Sequence, residues 1–379
     1  MKKLIFFCAF IAFFFLFGIL VSFFLDYQFL DNFLVSLSKV KWFFVILSCV
    51  FAFICGIFIH ESGHLVSFLI DHIKIRCFAV LLFVFFKDNT TKKYKFRINF
   101  SLLKILGGFV VPDLPEVNDK NYDDIRRSFS KSLINGPLFS YFSLGIFIFS
   151  FIISFIFLGG SFFLGFIFYF DIIYLIFVLL ATKSFNLNNG FFFGDRYAYK
   201  KILSDEDFFL ATLLSYQTFS LNIQEQTNAF LINKVKQILK EKPYSLFSES
   251  LIIYYIDSLI FDGLEPDITV NIDSVVRKQD SIQLAYYKVL FNYVFSGDNS
   301  FNESYSKFKE YYEFIENSIE DRYLKLLEHN ICEFDNSEIL LDEDNYWPEN
   351  GLFSFLIDEF SDFKKYVKRI DKKYKIDEI

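Results

Sequence analysis

Histidine, cysteine and methionine are all scarce in this chain of 379 residues, which contains 4 His, 5 Cys and 1 Met. The cysteines, Cys8, Cys49, Cys55, Cys77 and Cys332, include no closely spaced metal-binding pair. This spacing indicates neither a cysteine-ligated zinc module nor a disulfide-stabilised fold. We expect the cysteines to be reduced and to pack as small hydrophobic residues.

An excess of basic residues is also absent, since the net charge is −7. Residues 1–199 hold 18 Lys+Arg and 12 Asp+Glu, a net of +6, and residues 200–379 hold 20 and 33, a net of −13. The acidic half lacks the cations that neutralise phosphates, so we expect no nucleic-acid partner. The change of sign indicates two domains with different surroundings, divided near residue 199.

Apolar residues, in contrast, make up 54% of the chain, which is typical of a membrane protein. Residues 4–25 are uncharged, and so are residues 42–59. Asp171 is the single charge between residues 132 and 181. A bilayer core takes about 20 apolar residues as helix, so we predict spans at 4–25, from 42, at 137–158 and at 162–182. The first run is longer than a signal-peptide apolar region, so we expect it to be retained.

Lysine and arginine are distributed unevenly between the loops that join these spans. The loop over residues 71–131 carries 12 of them, whereas residues 26–41 carry only Lys39 and Lys41. The positive-inside rule therefore predicts that the N-terminus and the 71–131 loop are cytoplasmic. Four spans return the C-terminal half to the same side, so we predict a multi-pass protein of the cell membrane with a cytoplasmic C-terminal domain.

Two further segments have distinct patterns. Residues 74–86 are too short for a span and rich in β-branched and aromatic residues, which predicts a strand or hairpin against the membrane. Residues 106–115 predict an irregular or re-entrant segment. Residues 200–379 repeat apolar residues at helical spacing, which predicts an all-α domain of solenoid-like hairpins. The expected fold is an α-helical polytopic membrane bundle of about four spans, with a membrane-associated hairpin, followed by this helical cytoplasmic domain.

The second apolar run ends in His60-Glu61-Ser62-Gly63-His64, which fits the pattern H-E-x-x-H. Residues four apart lie on one face of a helix, so His60 and His64 can reach one Zn²⁺ while Glu61 acts as general base. With so few histidines, a chance match is expected in under about 1% of shuffled chains. Ionisable groups at the end of a bilayer helix are costly, which favours function over a structural polar cluster.

A catalytic zinc site takes three protein ligands, and two aspartates compete for the third position. Asp171 lies inside the fourth span, about half a bilayer from the histidines, whereas Asp195 follows that span on the same side as His60 and His64. We therefore favour Asp195 and keep Asp171 as the alternative. His72 and His329 are interpreted as loop and surface residues.

Three segments together resemble the site-2 protease family of membrane-embedded zinc metalloproteases. They are "FIHESGHLV", the Gly136-Pro137 segment "INGPLFSYFSLGIF" and "FNLNNGFFFGD". The resemblance covers roughly residues 42–200 and implies that Gly136-Pro137 opens a core helix. It also implies that Asp195 is a zinc ligand and that Asn186 holds substrate. The last segment departs from the family pattern, with no proline and with Arg196 after the aspartate, so Asn188 is an alternative to Asn186.

The resemblance implies Zn²⁺ as cofactor and hydrolysis of peptide bonds in or near the membrane segment of a protein or precursor peptide. An extended substrate strand would then pair with an edge in the segment 77–86. Two alternatives stay open at this point. One is an inactive zincin-like binding or immunity protein, and the other is a transporter accessory subunit. In each case the C-terminal domain is a candidate docking site for a protein partner.

Overall fold

The computed structural model describes residues 27–88, 91–104, 107–186, 193–217, 228–242, 247–262, 266, 282–295 and 298–312. The predicted span at 4–25 lies outside these residues. Contacts divide the chain into two units, a first unit of residues 1–63 and 136–186 and a second unit of residues 64–135 and 187–379. The predicted boundary near residue 199 falls inside a helix, and the division into two functional domains stays a prediction.

The first unit is helical. It contains α1 (Tyr27–Ser38), the start of α2 (Trp42–Ile70), the end of α3 (Tyr122–Phe157) and α4 (Phe162–Ser184). Of these, α2, α3 and α4 are long and apolar enough to cross a membrane. They match the predicted runs from 42, at 137–158 and at 162–182. The segment 26–41 was expected to be a loop, and the structure corrects this with α1.

Small residues let the helices of the first unit approach closely. A Cβ atom on Gly165 would lie 2.3 Å from the carbonyl oxygen of Ser36, so α1 packs directly on the backbone of α4. A Cβ atom on Gly56 would meet the ring of Phe177 at 2.4 Å. Large apolar side chains such as Phe142 and Phe149 are exposed, which is the pattern of a surface that faces lipid.

The second unit contains a four-stranded antiparallel sheet in the order β3-β2-β1-β4. The strands are β1 (Lys74–Val80), β2 (Phe83–Lys87), β3 (Tyr94–Ile98) and β4 (Gly108–Asp113), and a 3-10 helix covers Phe100–Lys104. The hairpin predicted over 74–86 is present, but both of its strands pair on two sides, so the prediction of an edge at 77–86 is wrong. The irregular segment predicted at 106–115 is wrong too, because β4 pairs along the length of β1.

The described residues of the second unit that follow α4 in the chain form helices. They are α5 (Asp195–Ser204), α6 (Glu206–Gln217), α7 (Ala229–Glu241), α8 (Ser248–Asp262), α9 (Ile282–Phe295) and α10 (Asp298–Tyr312). One apolar core joins them to the start of α3: Tyr122 and Phe129 contact Phe209 of α6 through edge-to-face ring contacts. The helical spacing seen in the sequence is therefore real, and the helices share a core with the 64–135 segment.

Candidate metal centre

The H-E-x-x-H sequence lies on α2, which runs without a break from Trp42 to Ile70. The boundary between the two units cuts this helix after Gly63, so the helix itself sets His60 one turn before His64. Both imidazoles therefore stand on one helical face. Glu61 is 7% exposed beside them, a degree of burial that a carboxylate tolerates only in polar surroundings.

His64 is oriented by the backbone of α3. Its Nδ1 lies 2.8 Å from the carbonyl oxygen of Ser132, and the Ser132 hydroxyl donates to the His64 carbonyl at 3.3 Å. A carbonyl can only accept, so Nδ1 carries a proton, and in the neutral imidazole the lone pair is then on Nε2. That Nε2 lies 3.5 Å from Oδ2 of Asp195.

His60 is oriented by a serine and an aromatic ring. Its Nδ1 is 3.2 Å from Oγ of Ser140, and that hydroxyl donates to the Gly136 carbonyl at 3.3 Å. Because the serine proton is used there, Oγ accepts from Nδ1–H, and in the neutral imidazole the lone pair is then on Nε2. The imidazole also stacks on Phe185, with centroids 5.0 Å apart and planes at 4°. The ring plane and the tautomer of His60 are thus both fixed.

Asp195 is the first residue of α5, directly after Gly194. A carboxylate in the first turn of a helix interacts favourably with the helix dipole. Its side chain is 22% exposed, against 12% for His64. His60, His64 and Asp195 each offer one ligand atom, and these atoms lie within 4.8 Å of one another.

Other residues singled out in the sequence lie elsewhere. Asp171 lies on α4 and is not in this group, and its buried Oδ2 has no hydrogen-bond partner among the described residues. Asn186 is exposed and donates from Nδ2 to the Thr182 carbonyl of its own helix at 2.9 Å. His72 ends α2, away from the group. Asn188 and His329 lie outside the described residues.

Comparison of the chain with known protein families agrees with the function that the H-E-x-x-H motif indicates. The model of peptidase family M50 matches residues 48–336, about three quarters of the chain. The chain belongs to peptidase family M50. This confirms the resemblance to site-2 proteases, and M50 membership makes the chain a membrane metallopeptidase by family. No curated protein and no solved structure matches it.

The M50 family depends in general on zinc, and the residues present fit that metal. Two imidazoles and one carboxylate are a donor set that zinc accepts in catalytic sites. Each imidazole also donates its other N–H to an oxygen, the arrangement that fixes metal-ligating histidines. The three ligand positions predicted from the sequence therefore have suitable chemistry, and their role as ligands is proposed below.

The Gly136-Pro137 segment differs from the expectation that it opens a helix. Helix α3 begins at Tyr122, so Pro137 lies in its interior. Proline has no N–H for the carbonyl four residues earlier, which interrupts the helical hydrogen bonds in this turn. Two groups on either side of Pro137 orient the histidines: the carbonyl of Ser132 and the hydroxyl of Ser140. The proline thus marks the turn of α3 that supports the candidate metal centre.

Sequence reasoning missed three residues of the site, namely Ser132, Ser140 and Phe185. The serines do stand four residues before and after Gly136, which gives one face of a helix. Serines in apolar helices usually bond to carbonyls of their own helix, so this spacing alone does not distinguish a supporting role. Phe185 is one of 58 phenylalanines and carries no signal of its own.

Proposed function

We propose that this chain is an intramembrane zinc metalloprotease. It hydrolyses peptide bonds in or near the membrane segment of a protein or a precursor peptide. The observation that carries the proposal is the convergence of His60, His64 and Asp195, whose ligand atoms lie within 4.8 Å of one another, with each imidazole held at Nδ1 by an oxygen. Family membership supports the same chemistry.

The three side chains would hold Zn²⁺, which supplies Lewis acidity: it lowers the pKa of water and polarises a carbonyl. Glu61, adjacent to His60, accepts the proton of the attacking water and passes it to the leaving amine nitrogen. Its burial, with 7% of the residue exposed, keeps bulk water away from this transfer. Asp195 contributes negative charge that offsets the two positive charges of the metal.

The substrate must be extended where it is cut, because a helix engages its carbonyls in its own hydrogen bonds. Asn186 or Asn188 would hold it by side-chain amide contacts. In the free protein, Asn186 donates to Thr182, so substrate would have to displace that bond. Among the described strands, the edges that a substrate strand could join are β3 and β4.

The proposed topology is multi-pass, with the N-terminus and C-terminal half in the cytoplasm. One core contains Ile125 and Phe129 from the start of α3 and Phe209 and Leu213 from after α4, which supports a common side for both segments. The 12 basic residues of 71–131 favour the cytoplasmic side. The helical C-terminal half is then accessible to a cytoplasmic protein partner.

Replacement of the proposed base tests the mechanism. Glu61→Gln should abolish cleavage and keep zinc near one per chain, because the amide cannot accept the proton. The measurement pairs metal analysis of the purified protein with cleavage of a co-expressed panel of single-span proteins and precursor peptides. Ser62→Ala is the matched control, since the Ser62 hydroxyl bonds only to the Phe58 carbonyl of its own helix among the described contacts.

Each outcome separates the alternatives. Cleavage by Glu61→Gln would refute the base assignment. Stoichiometric zinc without cleavage by the wild type would favour an inactive binding or immunity protein. Normal function of His60→Ala and His64→Ala variants would favour a transporter accessory subunit. The convergent donor set gives no support to the transporter alternative, whereas an inactive zincin-like protein would keep the same donors and is separated from a protease by the cleavage assay.

A further inference from the structure

A second polar site lies in the second unit, at the C-terminal end of α2. It is an open pocket of about 540 Å³, a size suited to small-molecule groups. Charged residues dominate its walls: Asp71, His72, Lys74, Lys87, Lys92, Asp113 and Asp124. His72 follows His64 by eight residues, roughly 12 Å along a helix. The pocket is therefore distinct from the candidate metal centre.

The acidic side chains of this pocket are already neutralised. Each has a cation close by: Lys131 with Asp71 at 2.9 Å, Lys87 with Asp113 at 3.4 Å, and Arg127 with Asp124 at 3.5 Å. No ion pair of Lys74 or Lys92 is found among the described residues. The lining itself holds three lysines and three aspartates, and because Lys131 and Arg127 from outside it pair with two of the aspartates, Lys74 and Lys92 are the lysines of the lining that remain. The ammonium groups of Lys74 and Lys92 can therefore bind an anion in this pocket.

Two residues that line the pocket have a backbone conformation that favours glycine. His72 and Lys92 have φ of +59° and +54°, and they are two of the three described non-glycine residues with positive φ. His72 terminates α2, where the Ile73 amide bonds to the Phe68 carbonyl at 2.9 Å and the His72 amide bonds to the Leu69 carbonyl at 3.1 Å. Strain of this kind is concentrated at ligand-binding positions.

We propose that this pocket binds a phosphate group, held by Lys74, Lys92 and His72. Two unmatched ammonium groups suit the charge of a phosphate ester, and lysine binds phosphate as a point charge. The three side chains come from the end of α2, the first residue of β1 and the turn before β3. A bound phosphate therefore links three segments. The group belongs either to an anionic lipid headgroup, which basic pockets near membranes accept, or to a soluble phosphate ester.

The experiment measures thermal unfolding of the full chain by circular dichroism, in lipid nanodiscs at constant ionic strength. One arm adds inorganic phosphate to phosphatidylcholine nanodiscs, with acetate as the carboxylate probe. The other arm replaces part of the phosphatidylcholine by phosphatidylglycerol. Lys74→Gln and Lys92→Gln are each compared with Lys93→Gln, which changes an exposed lysine next to Lys92 but outside the pocket.

A rise in unfolding temperature with inorganic phosphate supports a soluble phosphate ester, and a rise with phosphatidylglycerol alone supports a headgroup. In either case Lys74→Gln and Lys92→Gln should weaken the apparent affinity about tenfold each, and Lys93→Gln should leave it unchanged. The proposal is overturned if neither arm responds, if acetate acts as strongly as phosphate, or if Lys93→Gln weakens the response as much as Lys92→Gln. None of these readouts depends on proteolysis.

Discussion

The two candidate imidazole ligands are held in one tautomer by groups that are not themselves metal ligands. His64 is fixed by a backbone carbonyl and His60 by the Ser140 hydroxyl, whose own proton is used by Gly136. The carbonyl that supports His64 belongs to the backbone, so only the Ser140 hydroxyl that supports His60 can be removed by a side-chain substitution. The contribution of ligand orientation can therefore be measured at His60 without altering a ligand.

Ser140→Ala should reduce zinc affinity by about 10- to 100-fold, the usual effect of removing a partner that orients a ligating histidine. Competition with a chelator measures the zinc dissociation constant. The matched control is Ser143→Ala, which removes another buried hydroxyl of α3 that bonds to Tyr174 and not to a histidine. Equal losses in the two variants would mean that general destabilisation, rather than ligand orientation, weakens binding.

The third ligand is testable by metal content. Asp195→Ala should lose most bound zinc, because two imidazoles alone make an incomplete site. Asp171→Ala should retain zinc, since that carboxylate is not among the three convergent ligand groups. Elemental analysis of both purified variants decides the point. Loss of zinc in Asp171→Ala with retention in Asp195→Ala would reverse the assignment.

At the scale of elements, the three described apolar helices were predictable because charge is nearly absent over lengths that match a bilayer. Strand β4 was not predictable, because Gly107, Gly108 and Pro112 indicate a loop. Proline is tolerated there because β4 is an edge strand. Helix α1 was missed since it is short and its stability depends on packing against α4, which no local pattern reveals. Asp195 lies 3.5 Å from His64, near the depth that the predicted spans give it, and its role as a ligand stays a prediction.

Close packing between α1 and α4 depends on Gly165. Gly165→Ala should destabilise the protein by about 1–3 kcal/mol, because the added methyl group would overlap the backbone carbonyl of Ser36. Thermal unfolding in detergent measures the effect. Gly145→Ala is the control, since a Cβ atom there meets nothing within 4 Å. If both variants unfold like the wild type, the contact between α1 and α4 does not limit stability.

At the scale of the whole molecule, membrane topology follows from one shared core. Residues from 64–135 and from 193–312 pack together, so an even number of crossings must separate them. Helices α3 and α4 are the two candidate spans between Lys131 and Asp195. The orientation of this core toward the cytoplasm rests on the positive-inside rule and is the part that needs a measurement.

Single cysteines at Lys93 and Lys240, in a chain without its own cysteines, should both react with a membrane-impermeant maleimide in inverted vesicles. Neither should react in right-side-out vesicles. Lys93 precedes β3 and Lys240 lies near the end of α7, so the pair samples both sequence segments of the second unit. Labelling of the two positions from opposite sides would contradict the even number of crossings.

The common core also limits how the protein can be shortened. Phe209 and Leu213 are fully buried against a core that includes Tyr122 and Phe129. A recombinant fragment that stopped at residue 199 would keep every proposed zinc ligand and lose the partners that cover those rings. The minimal active fragment is therefore expected to extend well beyond the last ligand, and loss of activity on trimming would report misfolding rather than a missing catalytic group.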